Sequence, residues 1–261
     1  RFWNSNVSTM SNITVDTSPW GVAMFNLVNS SVSGVSVWNS SLRGIYLSNV
    51  LNISFKNISI WNNTLGMYYL NSNNSLVRNS SFHDNVVGVN LSGSIGNLFY
   101  FNNFSNNLVF HAAADMAGNF FNTTNGSSCG AKCARGNYWD DILTISIFDS
   151  NGDGYGDMGI QYPYNSSFSS KVTGIVTDYG PVTSRRCYDI DGDGAFSSSS
   201  DAGCPGYRDC NDNNANVLPP SDGLVVAGAV TLCTGSYSLT DVAGNGLITL
   251  SSNGASLDGS G

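Results

Sequence analysis

The sequence predicts an all-β fold: a parallel β-helix in which successive turns of the chain stack as the rungs of a solenoid. One phrase keeps returning, a glycine with two or three apolar residues followed by Asn and Ser, and it opens at Gly21, Gly44, Gly66 and Gly88. The intervals between these glycines, 23, 22 and 22, are typical of repeat architectures. Within each repeat apolar and polar residues alternate, which is the period of a strand. The 34 Asn, 40 Ser and absence of Glu disfavour helix.

Charged residues are distributed unevenly and indicate how the chain divides. Residues 1–110 contain two acids and four basic residues, whereas residues 140–212 contain 12 of the 18 Asp. The net charge of −8 argues against a nucleic-acid partner, and no apolar run is long enough to span a membrane. We expect a parallel β-helix over 1–128, a solenoid cap with a calcium loop over 129–184, an Asp-rich, disulfide-containing metal-binding linker over 185–220, and the start of a second β-helix-like segment over 221–261.

Two side-chain columns are predicted from the period. Asn39, Asn62 and Asn85 are evenly spaced at intervals of 23, so we expect them to stack at a turn and to bond along the stack. Trp38 and Trp61 are separated by the same interval. Alternation with the apolar residue before each Trp would point both rings outward as a sugar-binding stripe, but we favour a stacked position in the core and keep the exposed stripe as the alternative.

A first acidic loop, read from Asp149, has the oxygen spacing of an EF-hand calcium loop. Gly154 lies at the sixth position, where the loop turns, but Ile160 replaces the final Glu and no helices flank the loop. We therefore predict a helix-free calcium loop whose missing ligand comes from Asp140 or Asp141; the alternative is an Asp/Gly turn with solvated carboxylates. The predicted oxygen donors are Asp149, Asn151, Asp153, the carbonyl of Tyr155, and Asp157.

A second acidic segment, over residues 187–220, has the same spacing of alternate carboxylates followed by a further cluster of oxygens. Clustered carboxylates in a segment with few apolar residues repel one another unless a cation is bound. We predict Ca²⁺ here, against the alternative of a flexible acidic linker. The candidate ligands are Asp189, Asp191, Asp193, Asp209, Asn211, Asp212 and Asn213.

The six cysteines predict disulfides, because an even number in an exported chain is typical of a disulfide framework. Fifteen pairings are compatible with the sequence alone, and a local link between Cys129 and Cys133 at the end of the solenoid is one of them. Free or catalytic thiols are the alternative. The residues concerned are Cys129, Cys133, Cys187, Cys204, Cys210 and Cys233.

Asn-x-Ser/Thr sequons are twice as frequent as chance predicts, with 14 in the chain. They favour a glycosylated surface in an exported protein, although a rung template that places Asn-x-Ser at turns would produce the same excess. The candidate sites that we single out are Asn12, Asn39, Asn52, Asn57, Asn79 and Asn165.

Several phrases resemble known families. Residues 1–128 resemble right-handed parallel β-helix repeat proteins, and "GNYWDDI" (136–142) followed by "DSNGDGYGD" (149–157) resembles the end of the β-helix in NosD-like periplasmic copper-protein domains. The segment 187–220 resembles the Asp-rich metal-binding motif of secreted proteins and thrombospondin type 3 repeats. The resemblance implies a right-handed β-helix outside the cytoplasm. Copper is not expected, because the chain has two His, His83 and His111, and no Met-rich cluster.

Two functions are consistent with these observations. The first is a secreted or cell-surface structural or adhesive module stabilised by Ca²⁺. The second is a carbohydrate-binding or carbohydrate-active β-helix of the lyase, hydrolase or epimerase kind. The rungs offer only Asp84 beside His83, with Arg78 nearby, which is not a glycosidase pair of carboxylates. We therefore assign no catalytic residue, and a non-enzymatic role is favoured.

Rung-like sequence at both ends of the chain predicts self-association. An open rung exposes backbone groups and apolar positions. We expect either a segment of a longer protein or a subunit that joins its copies head to tail into an extracellular fibre or surface layer. Glycans are further candidate partners.

Overall fold

The computed structural model divides into two compact units, Arg1–Asp149 with Asp153–Arg185, and Ser150–Gly152 with Arg186–Gly261. The residues described are 1–123, 134–189, 195–197, 199–204, 208–211, 213–234, 237–242, 244 and 246–259.

The first unit is a β-helix with three parallel sheets, which confirms the predicted fold class. Sheet A contains β1 (Phe2–Trp3), β4 (Trp20–Phe25), β7 (Arg43–Ser48), β10 (Leu65–Leu70), β13 (Val87–Ser92), β16 (Phe110–Ala114) and β19 (Val172–Gly174). Sheet B contains β2 (Thr9–Ser11), β5 (Val28–Ser33), β8 (Leu51–Lys56), β11 (Leu76–Arg78) and β14 (Leu98–Tyr100). Sheet C contains β3 (Thr14–Asp16), β6 (Ser36–Trp38), β9 (Ser59–Trp61), β12 (Ser81–His83), β15 (Asn103–Ser105) and β17 (Tyr138–Trp139).

Short elements follow the last rungs of this unit. A 3-10 helix covers Ile142–Thr144, and β18 (Tyr164–Asn165) pairs antiparallel with β20 (Thr177–Asp178). The strand β19 adds to sheet A beside β16, so the chain returns to the solenoid after the helix.

Adjacent rungs align at the predicted period. In sheet A, Val22 pairs with Ile45, and Ile45 pairs in turn with Met67. These side chains point inward and are buried, as the alternation requires. The core is therefore a set of stacked columns in which each apolar residue contacts its equivalent one rung away.

The recurring glycines occupy equivalent positions, as predicted, because the backbones of neighbouring rungs approach closely there. A Cβ on Gly66 would lie 2.5 Å from the carbonyl oxygen of Gly88, and the same clash recurs at Gly21 and Gly44. The fifth position of this column is His111, whose carbonyl oxygen lies opposite Gly88.

The turn asparagines form two ladders rather than the single one predicted. Asn62 donates to Asn39 on the outside of the turn, whereas Asn85 stacks inside the turn on Asn63. The prediction that placed Asn85 below Asn62 was wrong, because the step between rungs shortens by one residue here and aligns Trp61 with His83. Asn62 is therefore followed by Asp84, not by Asn85.

Trp38 and Trp61 lie on the outer face of sheet C, so the favoured core position was wrong and the outward orientation is the one observed. Both rings are half-buried, and their centroids are 4.6 Å apart in a parallel stack. His83 continues the stack, 5.7 Å from Trp61. The inward position in each strand is taken by an aliphatic residue such as Ile60.

The second unit is also built from short parallel strands. β21 (Val217–Leu218), β23 (Ala229–Leu232) and β25 (Ser256–Asp258) form one sheet, and β22 (Leu224–Val226) and β24 (Ile248–Leu250) form another. Two disulfides, Cys187–Cys204 and Cys210–Cys233, are formed within it. Cys129 and Cys133 lie outside the described residues.

Replacing Gly66 with Ala should destabilise the solenoid by about 3 kcal/mol, since the added methyl group meets a backbone oxygen that cannot move away. The free energy of unfolding from a urea titration measures this. Gly228→Ala is the control, because a Cβ at Gly228 meets nothing within 4 Å. Equal stability of the two variants would contradict the close approach.

Candidate functional site

Buried polar side chains run along the solenoid in ladders with one direction. In the first ladder, Asn63 donates its backbone and side-chain N–H groups to Asn85 Oδ1, and Asn85 donates both to Asn107 Oδ1. Every rung thus gives hydrogens to the next one towards the C terminus. Asn107 is the last Asn of this ladder, so its side-chain N–H must donate to a residue of another type.

His111 supplies that acceptor. The Asn107 amide lies 3.0 Å from His111 Nδ1, and its orientation is fixed because its oxygen already accepts from Asn85. Nδ1 therefore accepts, and Nε2 carries the hydrogen and donates to Asp140 Oδ1 at 2.7 Å. Burial lowers the pKa of His111 against the opposing effect of Asp140, consistent with a neutral ring.

Asp141, beside this pair, accepts from two hydroxyl groups. The hydroxyl of Tyr164 donates to Asp141 Oδ1 at 2.9 Å, and that of Ser169 donates to Oδ2. The ring of Tyr164 stacks on Trp139 with centroids 4.7 Å apart. Burial is the main cause that raises the pKa of Tyr164. The two acids predicted to complete the calcium loop are thus engaged at the end of the solenoid core.

A second buried ladder ends on Asp178. Asn102 donates to Asn137 Oδ1, and Asn137 donates its backbone N–H to Asp178 Oδ2 at 2.8 Å. The same oxygen accepts from the indole of Trp139 at 2.9 Å, and Oδ1 accepts from the Gly180 N–H at 2.9 Å. Burial raises the pKa of Asp178 to about 7, although these donors lower it.

The acidic loop at 149–157 is closed at its base by a bridge between Phe148 and Met158. Asp149 Oδ2 accepts the N–H of Gly154 at 2.8 Å, and Gly154 has a positive φ of 90°. Asp149 is 1% and Asp157 8% exposed. The N–H of Tyr155 donates to Asp153 Oδ1, while Asn151 is exposed in the segment grouped with the second unit.

The second acidic segment is described in part. Asp209 is buried and accepts from the N–H of Asn211, whose carbonyl oxygen accepts from the N–H of Asn213. Asp209 also lies near Cys210 and Cys233, but those sulfurs are bonded to each other and are not free ligands. Asp189 is half-buried. Three further predicted ligands lie outside the described residues: Asp191, Asp193 and Asp212.

A groove of about 720 Å³ follows the corner between sheets B and C. Asn57 and Asn79 lie on this corner, and Tyr138 and Tyr155 close the groove at its C-terminal end. His83 and Asp84, singled out from the sequence, form an exposed contact between neighbours, with Nδ1 and Oδ2 2.7 Å apart.

Most of the chosen sequon asparagines occupy exposed corners with positive φ, and glycosylation of them stays a prediction. Asn165 differs, since it is half-buried in β18. A left-handed corner favours Asn for conformational reasons alone. The exposed corner residues are Asn12, Asn39, Asn52, Asn57 and Asn79.

Comparison with known proteins identifies the family. A family model described as "Periplasmic copper-binding protein (NosD)" matches residues 1–143, more than half of the chain. The chain belongs to the NosD family. No curated protein matches it. A solved structure of QnrB1, a plasmid-mediated fluoroquinolone resistance protein, is 12% identical over 46% of this chain and 76% of that one, with a TM-score of 0.16.

Within the described residues of this NosD-family chain, no helix is long and apolar enough to cross a membrane. The family description raises the question of copper. The candidate group is His111, Asp140 and Asp141, whose ligand atoms lie within 4.8 Å of one another. It does not fit copper, because coordination by Nε2 would move the hydrogen of His111 to Nδ1, against the amide hydrogen of Asn107. The group is a hydrogen-bonded closure of the core.

Sequence reasoning missed the residues that close the ladders. Asp178 lies 41 residues after Asn137, with no repeat to connect them. His111 carried a signal, since it stands one repeat after Gly88, where the column predicts glycine. Asn137 was quoted within the "GNYWDDI" phrase, but its place in a ladder follows only from its bond to Asn102, 35 residues earlier.

Asp178 should make stability depend on pH. Because its pKa rises from 3.8 in the unfolded chain to about 7 in the fold, the fold favours the protonated acid. The stabilisation is complete below about pH 4 and is lost as the pH rises to about 7, by about 1.4 kcal/mol per unit. Urea titrations of wild type and Asp178→Asn from pH 4 to 8 measure the difference.

The variant Asp115→Asn removes an exposed carboxylate and serves as the control. It should keep the wild-type dependence on pH, whereas Asp178→Asn should lose the part between pH 4 and 7. Parallel curves for wild type and Asp178→Asn would show that Asp178 is ionised throughout.

Proposed function

We propose that this NosD-family chain is a structural, surface-exposed module of an exported protein, stabilised by Ca²⁺ in the 149–157 loop. The carrying observation is the bond from the Gly154 N–H to Asp149 Oδ2, which folds the loop back on its first carboxylate. The periplasmic description of the family and the two disulfides support a location outside the cytoplasm.

Calcium suits this loop for chemical reasons. Ca²⁺ takes six to eight hard oxygens, and a short loop can present several of them when glycines with positive φ let it turn tightly. Gly152 and Gly154 have φ values of 81° and 90°. Asp149 and Asp157 are largely removed from water. A buried negative charge is costly unless it is compensated. The proposed ligands are the side chains of Asp149, Asn151, Asp153 and Asp157 with the carbonyl of Tyr155.

A second Ca²⁺ is proposed in the 187–220 segment. The backbone bonds around Asp209 bring Asn211 and Asn213 into one tight turn, which is a compact source of oxygens. The disulfide Cys187–Cys204 lies within this segment, and Cys210–Cys233 ties the segment to the residue that follows β23. The remaining proposed ligands are Asp189, Asp191, Asp193 and Asp212.

Chelation should loosen the loop and leave the rungs folded. We expect EDTA to lower the hydrogen-exchange protection of residues 146–160 by at least about tenfold, with little change over the strands of residues 20–110. Asp149→Asn should lower Ca²⁺ affinity by at least about tenfold in calorimetry, because it removes one of the three proposed carboxylate ligands.

The matched control is Asp258→Asn, which removes one exposed acid from a strand of the second unit. Its Ca²⁺ titration should match wild type. If calorimetry detects no Ca²⁺ binding to the wild-type chain at millimolar concentration, the calcium proposal is wrong.

Head-to-tail assembly remains part of this proposal. Val225 and Leu250, on the paired strands β22 and β24, are 62% and 56% exposed. Sedimentation velocity with Ca²⁺ present should show concentration-dependent association that Val225→Lys with Leu250→Lys abolishes. Val242→Lys is the control, because Val242 is 84% exposed outside these strands. A wild-type chain that sediments as a monomer at all concentrations would exclude the fibre.

Carbohydrate binding is the second candidate function. It is favoured by the outward stack of Trp38, Trp61 and His83 on sheet C, because partly exposed aromatic rings offer apolar contact area to a sugar.

A further inference from the structure

The groove between sheets B and C is continuous with the outer face that carries the Trp stack. Ser59 and Trp61 both point outward from β9, separated by the buried Ile60, and Ser59 lines the groove. The same arrangement recurs one rung on, with Ser81 and His83 of β12. A ligand chain crossing sheet C would therefore contact both the groove and the stack.

Polar side chains line most of the groove. Asn57 and Asn79 project from the exposed corner, and Ser59, Ser81 and Asn103 form a register column on sheet C. Amide and hydroxyl groups both donate and accept hydrogen bonds, as sugar hydroxyls do. Their repetition at the spacing of strands, about 4.8 Å, suits a ligand that also repeats.

Aromatic rings close the C-terminal end of the groove. Phe101 and Tyr138 are 38% and 40% exposed, and Tyr155 lies 6.3 Å from Phe101 by ring centroids. These rings offer apolar contact area next to the polar walls.

Cationic residues border the groove without lining it, although the chain as a whole carries −8 and Asp153 and Asp178 lie near Tyr155 at its C-terminal end. Lys56 and Arg78 immediately precede the corner residues Asn57 and Asn79 and are aligned in adjacent strands. The guanidinium of Arg135 lies 5.6 Å from the ring centre of Tyr155. No lining residue is acidic, and none of the three cations forms an ion pair with another described residue.

This placement has an energetic cost that an anion would remove. Like charges directly opposite each other on neighbouring strands destabilise a sheet. The Nε of Arg78 is also buried without a hydrogen-bond partner among the described residues. A carboxylate between Lys56 and Arg78 would relieve the repulsion and form charge-assisted hydrogen bonds.

We propose that this groove binds an acidic oligosaccharide, with uronate carboxylates at Lys56 and Arg78 and a sugar face on Tyr138. The proposal rests on the carbohydrate-binding candidate and adds to it a site and a ligand class. The Asn and Ser walls would bind the ring hydroxyls. The sequons at Asn57 and Asn79 give a second consequence, since a glycan attached at either residue would fill the groove.

The test is calorimetry of the full unglycosylated chain with three probes, each titrated with and without Ca²⁺: a short oligogalacturonate, a neutral malto-oligosaccharide and inorganic polyphosphate. We expect the oligogalacturonate to bind most tightly and to weaken at high salt. Lys56→Gln with Arg78→Gln should lower its affinity at least about tenfold, as should Tyr138→Ala. Arg1→Gln, which removes an exposed cation at sheet A, should have no effect.

The outcomes separate this inference from the candidate on which it rests. Neutral and acidic sugars binding equally, with no loss in the Lys56 and Arg78 variant, would overturn the acidic site but keep carbohydrate binding. No binding of any sugar would overturn both. Polyphosphate binding as tightly as oligogalacturonate would show a general anion site and overturn the assignment to saccharides. Thermal melts of each variant confirm that it is folded.

Discussion

The structure depends on the direction of its buried hydrogen bonds. A buried amide that loses a partner costs about 1–3 kcal/mol, so a solenoid that stacks amides must satisfy them in every rung. Here each rung donates N–H groups to the oxygens of the following rung. Such a ladder needs, at its C-terminal end, a group that accepts and does not donate back. Nδ1 of His111 and Oδ2 of Asp178 end two of the ladders in this way, and the carbonyl oxygen of Met116 ends a third at Asn119.

This requirement explains why titratable residues gather where the rungs end. Asp140 fixes the other side of His111, and the hydroxyls of Tyr164 and Ser169 satisfy Asp141. The cluster looks like a metal centre by composition, but its atoms are committed to one another. Any ligand chemistry must then be sought on the outer faces and in the loops. That is why the proposals concern the 149–157 loop and the groove beside sheet C.

The outer surface also repeats from rung to rung, because the corners between the sheets recur in each rung. A single residue with positive φ turns the chain between sheets, and Asn is the residue type that tolerates it best after glycine. The corners thereby place Asn57 and Asn79 one rung apart on the surface. They also set the residues before each corner, such as Lys56 and Arg78, in a column. Regular spacing in the chain becomes regular spacing of chemical groups on a face.

The sequence by itself determined the solenoid, since the repeat period and the alternation of apolar residues are local properties that each rung shows again. It also determined the glycine column, because each glycine faces the backbone oxygen at the equivalent position of the next rung. Only the tertiary structure decided the places of Asn85 and of the tryptophans. A step that shortens by one residue moves a side chain from one ladder to the next, and period alone does not say where it shortens. The tertiary structure also decided where the ladders end. Asn137 donates to Asp178 across a separation of 41 residues, and the sequence between them contains no repeat.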